Sequence, residues 1–227
     1  MGYVFTPSDD AVRSSNIARF MDAHGIRDYK ELIERASKDI EWYWDAVSND
    51  LNIEWFREYS TDKILDVSDG IEWARWFVDG KCNIAYNCLE KHIKDGKGSK
   101  PAIVWENEQG SRRIVTYSEL YSMSCRIANA LNAIVEKGDV VCIYMPMVPE
   151  AIASMLACSM IGAVHSVVFS GFSARALADR LNDARVKVLI TADGYYRRGK
   201  QVELKKSADE ALMMNSTVAV SYTHLRA

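Results

Sequence analysis

Three short apolar segments, separated by two stretches of helical length, form the most regular pattern along the chain. They are Val140–Met145, Val164–Phe169 and residues 186–192. Apolar residues follow one another in each segment instead of alternating with polar ones, which is typical of strands covered on both faces. The order strand, helix, strand, helix, strand favours a parallel sheet. We therefore predict an α/β fold in which residues 100–220 form the first part of an incomplete layered domain, mostly parallel sheet with covering helices.

The two intervening stretches carry the signals of helix ends. Pro149 and Glu150 suit the first turn of one helix, and Gly162 suits its end. Ser173 can cap the second helix, in which leucines recur at a four-residue spacing. Residues 151–169 are nearly all apolar, but Gly162 and dispersed polar residues interrupt them. Because apolar runs of roughly 10–14 residues are more typical of buried helices than of membrane spans, we predict no membrane contact.

Residues 1–95 are predicted to form a helical, aromatic-rich N-terminal segment. Ser8 can cap a helix over residues 8–23, and Asp28 can cap a second helix. Aromatic residues then become frequent between residues 42 and 77. These rings could form a ligand box, but we favour the interpretation that they pack the segment against a larger body, because aromatic side chains dominate packing energetics.

The clearest internal boundary is the polar stretch KDGKGSK at residues 94–100, which follows a predicted helix over residues 82–92. Beyond it, residues 102–118 have the pattern of two strands joined by a polar turn at Gly110. The sequence TYSE, which starts at Thr116, predicts a capping box at the start of the next helix.

Composition and charge narrow the classes of partner. The 227 residues carry a formal net charge of −3, and the sequence pI is near 5.9. With no basic stripe, we predict no nucleic-acid partner. Five cysteines and four histidines are scattered without metal-ligand spacing, which favours reduced thiols in a cytoplasmic protein. The start of the chain lacks the apolar core of a signal peptide.

The first candidate binding loop follows the second apolar segment. Phe169, Ser170 and Gly171 lead directly into the helix that Ser173 caps. Ligands of parallel sheets bind beyond the carboxyl ends of the strands. A glycine there allows close backbone approach, and the free N–H groups of a helix N-terminus favour an anion. The alternative is an ordinary turn between strand and helix.

The second candidate loop follows the third apolar segment. Its sequence is DGYYRRGK, at residues 193–200. Arg197, Arg198 and Lys200 surround Gly199, and arginines can bind phosphate oxygens bidentately. We therefore predict contact with a phosphate-bearing ligand, with an ordinary solvated turn as the alternative.

The basic loop also imitates the phosphate-binding loop of nucleotide hydrolases. Gly194, Gly199 and Lys200 match the first seven positions of that motif, after a strand and before a possible helix. The eighth position is Gln201, where the motif needs a hydroxyl that binds Mg²⁺. A P-loop enzyme is therefore the weaker hypothesis. A dinucleotide-binding dehydrogenase is weaker still, because no G-x-G-x-x-G follows a strand.

No nucleophile–base pair, carboxylate dyad or metal cluster emerges from the sequence. Glu150 is explained by the helix dipole, which favours an acid in the first turn. His165 lies on a segment that we predict to be buried. We therefore interpret His165 as a hydrogen-bonded core residue and not as a ligand.

The stretch KGDVVCIYMPMVPEAIASMLACSMIGAVHSVVFSGFS is the most distinctive in the chain, and NIAYNCLEKH, PAIVWENE, TYSELYSMSCRIANAL and ADGYYRRGK accompany it. Together they resemble the AMP-forming acetyl-CoA synthetases and their short-chain acyl-CoA synthetase relatives. The aromatic N-terminal segment resembles the extension of the acetyl/propionyl branch. The resemblance covers most of the chain before Ser221.

The resemblance implies an enzyme that activates a short-chain carboxylic acid with ATP and Mg²⁺, giving an acyl-adenylate, and then transfers the acyl group to CoA. In that family the CoA nucleotide lies against two loops. The matching residues here are Phe169, Ser170 and Gly171 in the first loop and Arg197, Arg198, Gly199 and Lys200 in the second. Ser170 stands where a glycine is common, and Lys200 where a second arginine is common. Lysine keeps the charge but lacks the planar fork.

The resemblance also implies that the loop gripping ATP, the acyl pocket, the Mg²⁺ glutamate and the adenylation lysine lie beyond this chain. We therefore expect an N-terminal fragment without synthetase activity. Residues 221–227, SYTHLRA, are predicted to continue neither strand nor helix and to be a tail that is not native to the fold. Two alternatives remain open: a non-catalytic CoA- or nucleotide-binding module, and a family member that adenylates a different acid.

Overall fold

The computed structural model describes residues 5–214 and 217–225. The chain divides into two compact units, Met1–Cys82 and Asn83–Ala227. Each unit has its own hydrophobic core. The sequence-based boundary, with an N-terminal segment to residue 95 and a domain from residue 100, lies inside the second unit.

The first unit is mainly helical. Its described helices are α1 (Asp9–Arg13), α2 (Asn16–Ala23), α3 (Tyr29–Lys38) and α4 (Ile40–Asp50). A turn of 3₁₀ helix, Ile71–Trp73, connects two short antiparallel strands, β1 (Leu65–Asp66) and β2 (Arg75–Trp76). The helical character predicted for this part of the chain is thus present, with a small sheet added to it.

The helix predicted over residues 8–23 is in fact two helices. Ser8 caps α1 as expected, its hydroxyl oxygen accepting a backbone N–H of the first turn at 3.3 Å. Ser15 then adopts extended dihedral angles (φ −73°, ψ 151°) and accepts from Ala18 N. A serine in that conformation interrupts one helix and caps the next. Asp28 caps α3 as predicted.

The aromatic residues of the first unit pack against one another. The buried Phe20 lies beside Trp42 and Tyr43, with ring centroids 6.5 and 6.3 Å apart. Trp55 lies against Phe77 at 5.2 Å. Such tilted and edge-to-face pairs favour the packing interpretation over a ligand box. That the rings also hold the unit against a larger body stays a prediction.

The second unit contains a parallel sheet. Its described strands are β3 (Pro101–Glu106), β4 (Arg112–Thr116), β5 (Val140–Met145), β6 (Val164–Phe169), β7 (Val188–Ala192), β8 (Tyr195–Arg197), β9 (Lys200–Val202) and β10 (Val220–Leu225). Its described helices are α5 (Tyr117–Asn132), α6 (Pro149–Ile161), α7 (Ala174–Asp183) and α8 (Leu204–Met213), preceded by two π-helical turns, Tyr86–Glu90 and Ile93–Lys97. The sheet order is β10, β7, β5, β6, and every neighbouring pair is parallel. The predicted α/β fold with a mostly parallel sheet is confirmed.

Short sequence motifs correctly predict the β3–β4 hairpin and the start of α5. β3 and β4 form the expected antiparallel hairpin, with Gly110 at φ 81° in its turn. Thr116 Oγ1 accepts from Glu119 N at 3.2 Å, and Glu119 Oε2 accepts from Thr116 N at 2.8 Å, which completes the predicted capping box. The π-helical turns extend to Lys97, so the helix predicted over residues 82–92 continues into part of the predicted loop.

Helices cover both faces of the sheet. On one face, Leu177 of α7 and Leu204 of α8 are fully buried against alternate residues of β5 and β7. On the other face, Leu131 of α5 and Cys158 of α6 pack against the intervening strand residues. Burying one such leucine contributes roughly 1.5–3 kcal/mol relative to leaving it exposed. Gly162 ends α6 in the left-handed conformation that the sequence predicts (φ 73°).

The prediction that all three apolar strands are covered on both faces is wrong for β6. In the described sheet β6 is an edge strand, and Val164 and Val167 are each 52% exposed. His165 is also exposed, so its interpretation as a core residue is wrong. An apolar run indicates a strand, but it does not tell whether a further strand or helix covers that strand.

The prediction for the end of the chain also needs correction. Residues 221–225 continue β10, which pairs with β7 from Val220 opposite Val188 to Leu225 opposite Ala192. The expectation that this stretch continues neither strand nor helix is therefore wrong for these residues, while its foreign origin stays a prediction. Arg226 and Ala227 lie outside the described residues. Over the parts of the chain that are described, no helix combines the length and apolar character needed to cross a membrane.

Candidate functional site

A cleft of about 510 Å³ lies at the carboxyl ends of the central strands. Three of its segments follow β5, β6 and β7 directly, where parallel sheets place their ligands. A fourth segment is the turn between β3 and β4. The lining residues are Trp105, Glu106, Asn107, Glu108, Gln109, Pro146, Met147, Val148, Phe169, Ser170, Asp193, Gly194, Tyr195, Tyr196, Arg197 and Gln201.

Two polar contacts fasten the β3–β4 hairpin to the segment after β5. Trp105 Nε1 donates to the carbonyl oxygen of Met147 at 2.7 Å. Arg113 Nη1 lies 2.6 Å from Glu150 Oε1 in the first turn of α6. Glu150 thus has an ion-pair partner in addition to the favourable helix dipole. The hairpin turn is held in place as one wall of the cleft.

The loop after β6 is supported from below by Tyr144, a buried residue of β5. The Tyr144 hydroxyl donates to the carbonyl oxygen of Phe172 at 2.9 Å and lies 3.3 Å from that of Ser170. Phe172 N in turn donates to Phe169 O at 3.0 Å, closing the turn. Ser173 caps α7 as predicted, accepting a first-turn N–H at 3.3 Å. These hydrogen bonds therefore hold the backbone of the loop in place.

The basic loop is a β-hairpin and not a phosphate-binding loop. β8 and β9 pair in an antiparallel register that joins Arg197 to Lys200. Arg198 and Gly199 occupy the turn with φ of 53° and 72°. Positive φ at both central residues is the pattern of a type I′ hairpin turn. Because a strand and not a helix follows Gly199, the P-loop hypothesis is wrong.

The two predicted loops meet at Arg197. Its guanidinium lies over the ring of Phe169, 5.6 Å from the ring centroid. A Cβ atom added to Gly171 would lie 3.0 Å from Arg197 Nη1 and 2.5 Å from Phe169 Cε1. Phe172 contacts Phe169 edge-on at 6.0 Å. A side chain at residue 171 would thus displace the end of the Arg197 or Phe169 side chain from this arrangement.

The structure separates the seven predicted site residues into two groups. Phe169, Ser170 and Arg197 line the cleft, and Gly171 touches two of them. The remaining residues, Arg198, Gly199 and Lys200, are exposed in the hairpin turn and are not part of the described lining. Of the two arginines of the predicted site, Arg197 is therefore the one that lines this cleft.

The sequence did not predict the wall formed by the β3–β4 turn. Glu106, Asn107 and Glu108 lie far along the chain from the lining residues that follow β5, β6 and β7, and their polar character is typical of any turn. Glu106 is paired with Arg112 at 2.9 Å, which offsets part of its charge. Trp105 was the residue from which this wall could have been predicted, because the indole N–H of a buried tryptophan usually needs a hydrogen-bond acceptor.

The cleft lining combines one cationic side chain, Arg197, with three acidic ones, Glu106, Glu108 and Asp193. A half-enclosed cleft next to the N-terminus of α7 contains one guanidinium that can bond phosphate oxygens bidentately. Close packing at Gly171 leaves the loop backbone near that guanidinium. Among the described residues, no group of three or more histidine, cysteine, aspartate or glutamate side chains is arranged to hold a metal ion.

The fold places the chain among α/β proteins with a parallel sheet, and its cleft lies at the carboxyl edge where such sheets hold their ligands. Comparison with protein families is more specific. Residues 89–225 match the family described as AMP-binding enzyme, and residues 29–88 match that described as acetyl-coenzyme A synthetase N-terminus. The chain belongs to the AMP-binding enzyme family.

Two proteins of similar sequence are acetyl-coenzyme A synthetases. The acetyl-coenzyme A synthetase of Thiobacillus denitrificans is 44% identical over 218 residues, which cover 96% of this chain and 32% of that protein. The acetyl-coenzyme A synthetase of Helicobacter pylori (strain G27) is 45% identical over 219 residues, covering 96% and 31% respectively. The chain therefore spans about a third of the length of these curated relatives.

A solved structure agrees with the sequence relatives. The acetoacetyl-CoA synthetase from Streptomyces lividans superimposes with a TM-score of 0.85 at 25% sequence identity. The alignment covers 96% of this chain and 34% of that one. The fold described above is thus that of one part of an acyl-CoA synthetase.

Proposed function

We propose that this chain is the N-terminal part of an AMP-forming ligase that joins acetate, or another short-chain carboxylate, to CoA through an acyl-adenylate. The two family matches and the acetyl-coenzyme A synthetase relatives support this proposal. ATP, CoA and Mg²⁺ would be used by the whole protein, in the cytoplasm. Since the chain spans about a third of its relatives, we expect the 227 residues alone to be inactive.

Within this chain we propose that the cleft receives a phosphate of CoA at Arg197. The convergence of Arg197, Phe169 and Gly171 carries this proposal, because it joins two loops from different strands around one cation. The guanidinium would bond the phosphate oxygens, and the Phe169 ring would hold the guanidinium in position through a cation–π contact. CoA supplies the thiol that accepts the acyl group.

Calorimetric titration of CoA into the 227-residue chain tests the site. Arg197→Ala should weaken CoA binding roughly ten- to a hundredfold, since a hydrogen bond to a charged group is worth about 1.5–3 kcal/mol. Arg197→Lys should recover part of the loss, because it keeps the charge without the fork. Arg126→Ala removes an exposed arginine of α5 outside the cleft and is the matched control.

The titrations test the phosphate contact separately from the family membership. Equal affinities for the unaltered chain and Arg197→Ala would remove the phosphate contact while leaving the family membership intact. An identical loss in Arg126→Ala would show that the effect is one of overall charge. Arg198→Ala, in the exposed hairpin turn, should have a smaller effect than Arg197→Ala.

A ligase that adenylates a different acid is the second candidate. The structural similarity to an acetoacetyl-CoA synthetase favours keeping it. Pyrophosphate release by the whole protein, measured with acetate, propionate and acetoacetate in turn, distinguishes the candidates. The acid with the highest kcat/KM identifies the substrate, and release without any acid dependence would contradict both.

A further inference from the structure

Tyr144 is a buried tyrosine whose hydroxyl reaches the β6 loop of the candidate site. It lies at the centre of the sheet on β5, paired with Val168 of β6 and Thr191 of β7, and it is 1% exposed. Its ring belongs to the core beneath α7 and α8, where Tyr195, the first residue of β8, packs against the same cluster. The residue thus contacts the β6 loop and shares a core cluster with the first residue of the hairpin that carries Arg197.

The Tyr144 hydroxyl has one proton to donate, and two carbonyl oxygens lie near it. It lies 2.9 Å from Phe172 O and 3.3 Å from Ser170 O, so its single proton is shared between two carbonyl groups. Burial raises the pKa of Tyr144, Tyr195 raises it further, and a hydrogen bond with the Ser207 side chain lowers it. The hydroxyl therefore stays protonated at neutral pH and acts as a donor.

The two acceptors flank Gly171. Fixing the carbonyl groups of Ser170 and Phe172 fixes the peptide plane that precedes Gly171 and the one that follows Phe172, so the backbone is held on either side of the Gly171–Phe172 pair. Arg197 Nη1 and the edge of the Phe169 ring lie where a side chain of residue 171 would stand. A chain of contacts thus leads from the hydroxyl in the core to the guanidinium in the cleft. Because Ser170 is buried, its carbonyl group has few alternative donors once the hydroxyl is removed.

We propose that Tyr144 is a positioning residue for the ligand site: its hydroxyl holds the backbone on both sides of Gly171 so that Arg197 and Phe169 keep the arrangement that receives a phosphate. It makes no contact with the ligand itself. This inference rests on the proposed function of the cleft and adds to it a residue that acts through the loop.

The test compares two variants that each remove one buried hydroxyl. Tyr144→Phe keeps the ring and removes the donor. Ser124→Ala removes a hydroxyl that donates to Leu120 O at 2.9 Å within α5, outside both loops. CoA affinity is measured by calorimetry. The exchange of the Phe172 amide, which donates to Phe169 O, is measured by NMR in the absence of ligand.

We expect Tyr144→Phe to weaken CoA binding roughly three- to tenfold, the size of one net hydrogen bond, and to speed exchange of the Phe172 amide. Ser124→Ala should change neither, even if both variants unfold at a lower denaturant concentration. Tyr144→Phe combined with Gly171→Ala should weaken binding by less than the product of the two single effects, because both act on one loop.

Three results would overturn the inference. CoA binding by Tyr144→Phe with unchanged affinity would show that the hydroxyl does not position the site. Equal losses in Tyr144→Phe and Ser124→Ala would show a general effect of stability. If the unaltered chain binds no CoA, the proposed function of the cleft is contradicted, and the positioning role falls with it.

Discussion

Arg197 and Gly171 lie on different loops, yet the guanidinium Nη1 is 3.0 Å from the place where a Cβ atom of residue 171 would stand. The same atom would be 2.5 Å from Phe169 Cε1. Both distances are shorter than ordinary van der Waals contact. A side chain at residue 171 would therefore move the Phe169 ring or the Arg197 guanidinium away from its present position.

Gly171→Ala should consequently disturb the candidate site without disturbing the fold. The added methyl group must displace the Phe169 ring or the Arg197 guanidinium, and we expect CoA affinity to fall about tenfold, which corresponds to roughly 1.4 kcal/mol. Calorimetry measures the change. In a Phe169→Ala background the methyl group has room, so Gly171→Ala should then cost less. An equal cost in both backgrounds would contradict the steric explanation.

The core and the edge of the sheet should respond differently to truncation. Leu177→Ala removes a fully buried side chain between α7 and the sheet. We expect it to lower the free energy of unfolding by about 2–5 kcal/mol. His165→Ala on the exposed edge strand should stay within about 0.5 kcal/mol of the unaltered chain. Urea unfolding followed by circular dichroism measures both, and a large loss for His165→Ala would indicate that β6 is covered.

The pattern of apolar residues predicts the strands of the sheet better than their surroundings. β5 and β6 begin and end where the apolar segments do, and Gly162 and Ser173 end and begin the helices as expected. These signals are local in the sequence. Whether β6 is covered depends on its place in the strand order of the sheet. The periodicity of apolar residues does not specify that order.

Asp66 provides a pH-dependent contribution to the first unit. Its side chain is 6% exposed, Lys63 Nζ lies 2.9 Å away, Ser68 N donates to it at 3.1 Å, and Arg75 contacts it. The hydrogen bond with Lys63, followed by those with Ser68 and the charge of Arg75, holds the pKa of Asp66 well below its usual value of 3.8. The folded chain thus binds the proton more weakly than the unfolded chain does.

The stabilisation by Asp66 should therefore be present above about pH 4 and lost as the pH falls further. Asp66→Asn should lower the free energy of unfolding at neutral pH, and the difference from the unaltered chain should narrow as the pH falls to about 2. Denaturant titrations at several pH values measure it. A difference that does not vary with pH would show that packing, and not charge, is what the substitution removes.

The cysteines should fall into two classes of reactivity. Burial raises the pKa of Cys142 and of Cys158 to about 12, so neither has an appreciable thiolate fraction near pH 8. Cys82 and Cys88 are exposed, although burial of their thiol groups raises their pKa as well. Mass spectrometry after brief alkylation should find the exposed pair modified first. Denatured chain, in which all five react, is the control; early modification of Cys142 would contradict the buried position.

The candidate site was only partly predictable for a reason of geometry. Arg197 and Arg198 are neighbours of equal charge in the sequence and both are exposed, but only Arg197, which precedes the type I′ turn, lines the cleft. The hairpin that decides this depends on φ above 0° at a non-glycine residue, for which the sequence offered no strong signal. Likewise, the β3–β4 turn joins the cleft through the contact of Trp105 with Met147, which spans 42 positions.

The cleft is assembled from four segments that are widely spaced along the chain, at the β3–β4 turn and after β5, β6 and β7. Each of these segments forms only one wall of the cleft. Closing such long-range contacts is slow and cooperative, so an intermediate that lacks any one of them has no cleft. A ligand of this cleft would consequently bind only the completed sheet, stabilising it by mass action and reporting the last step of its folding rather than the first.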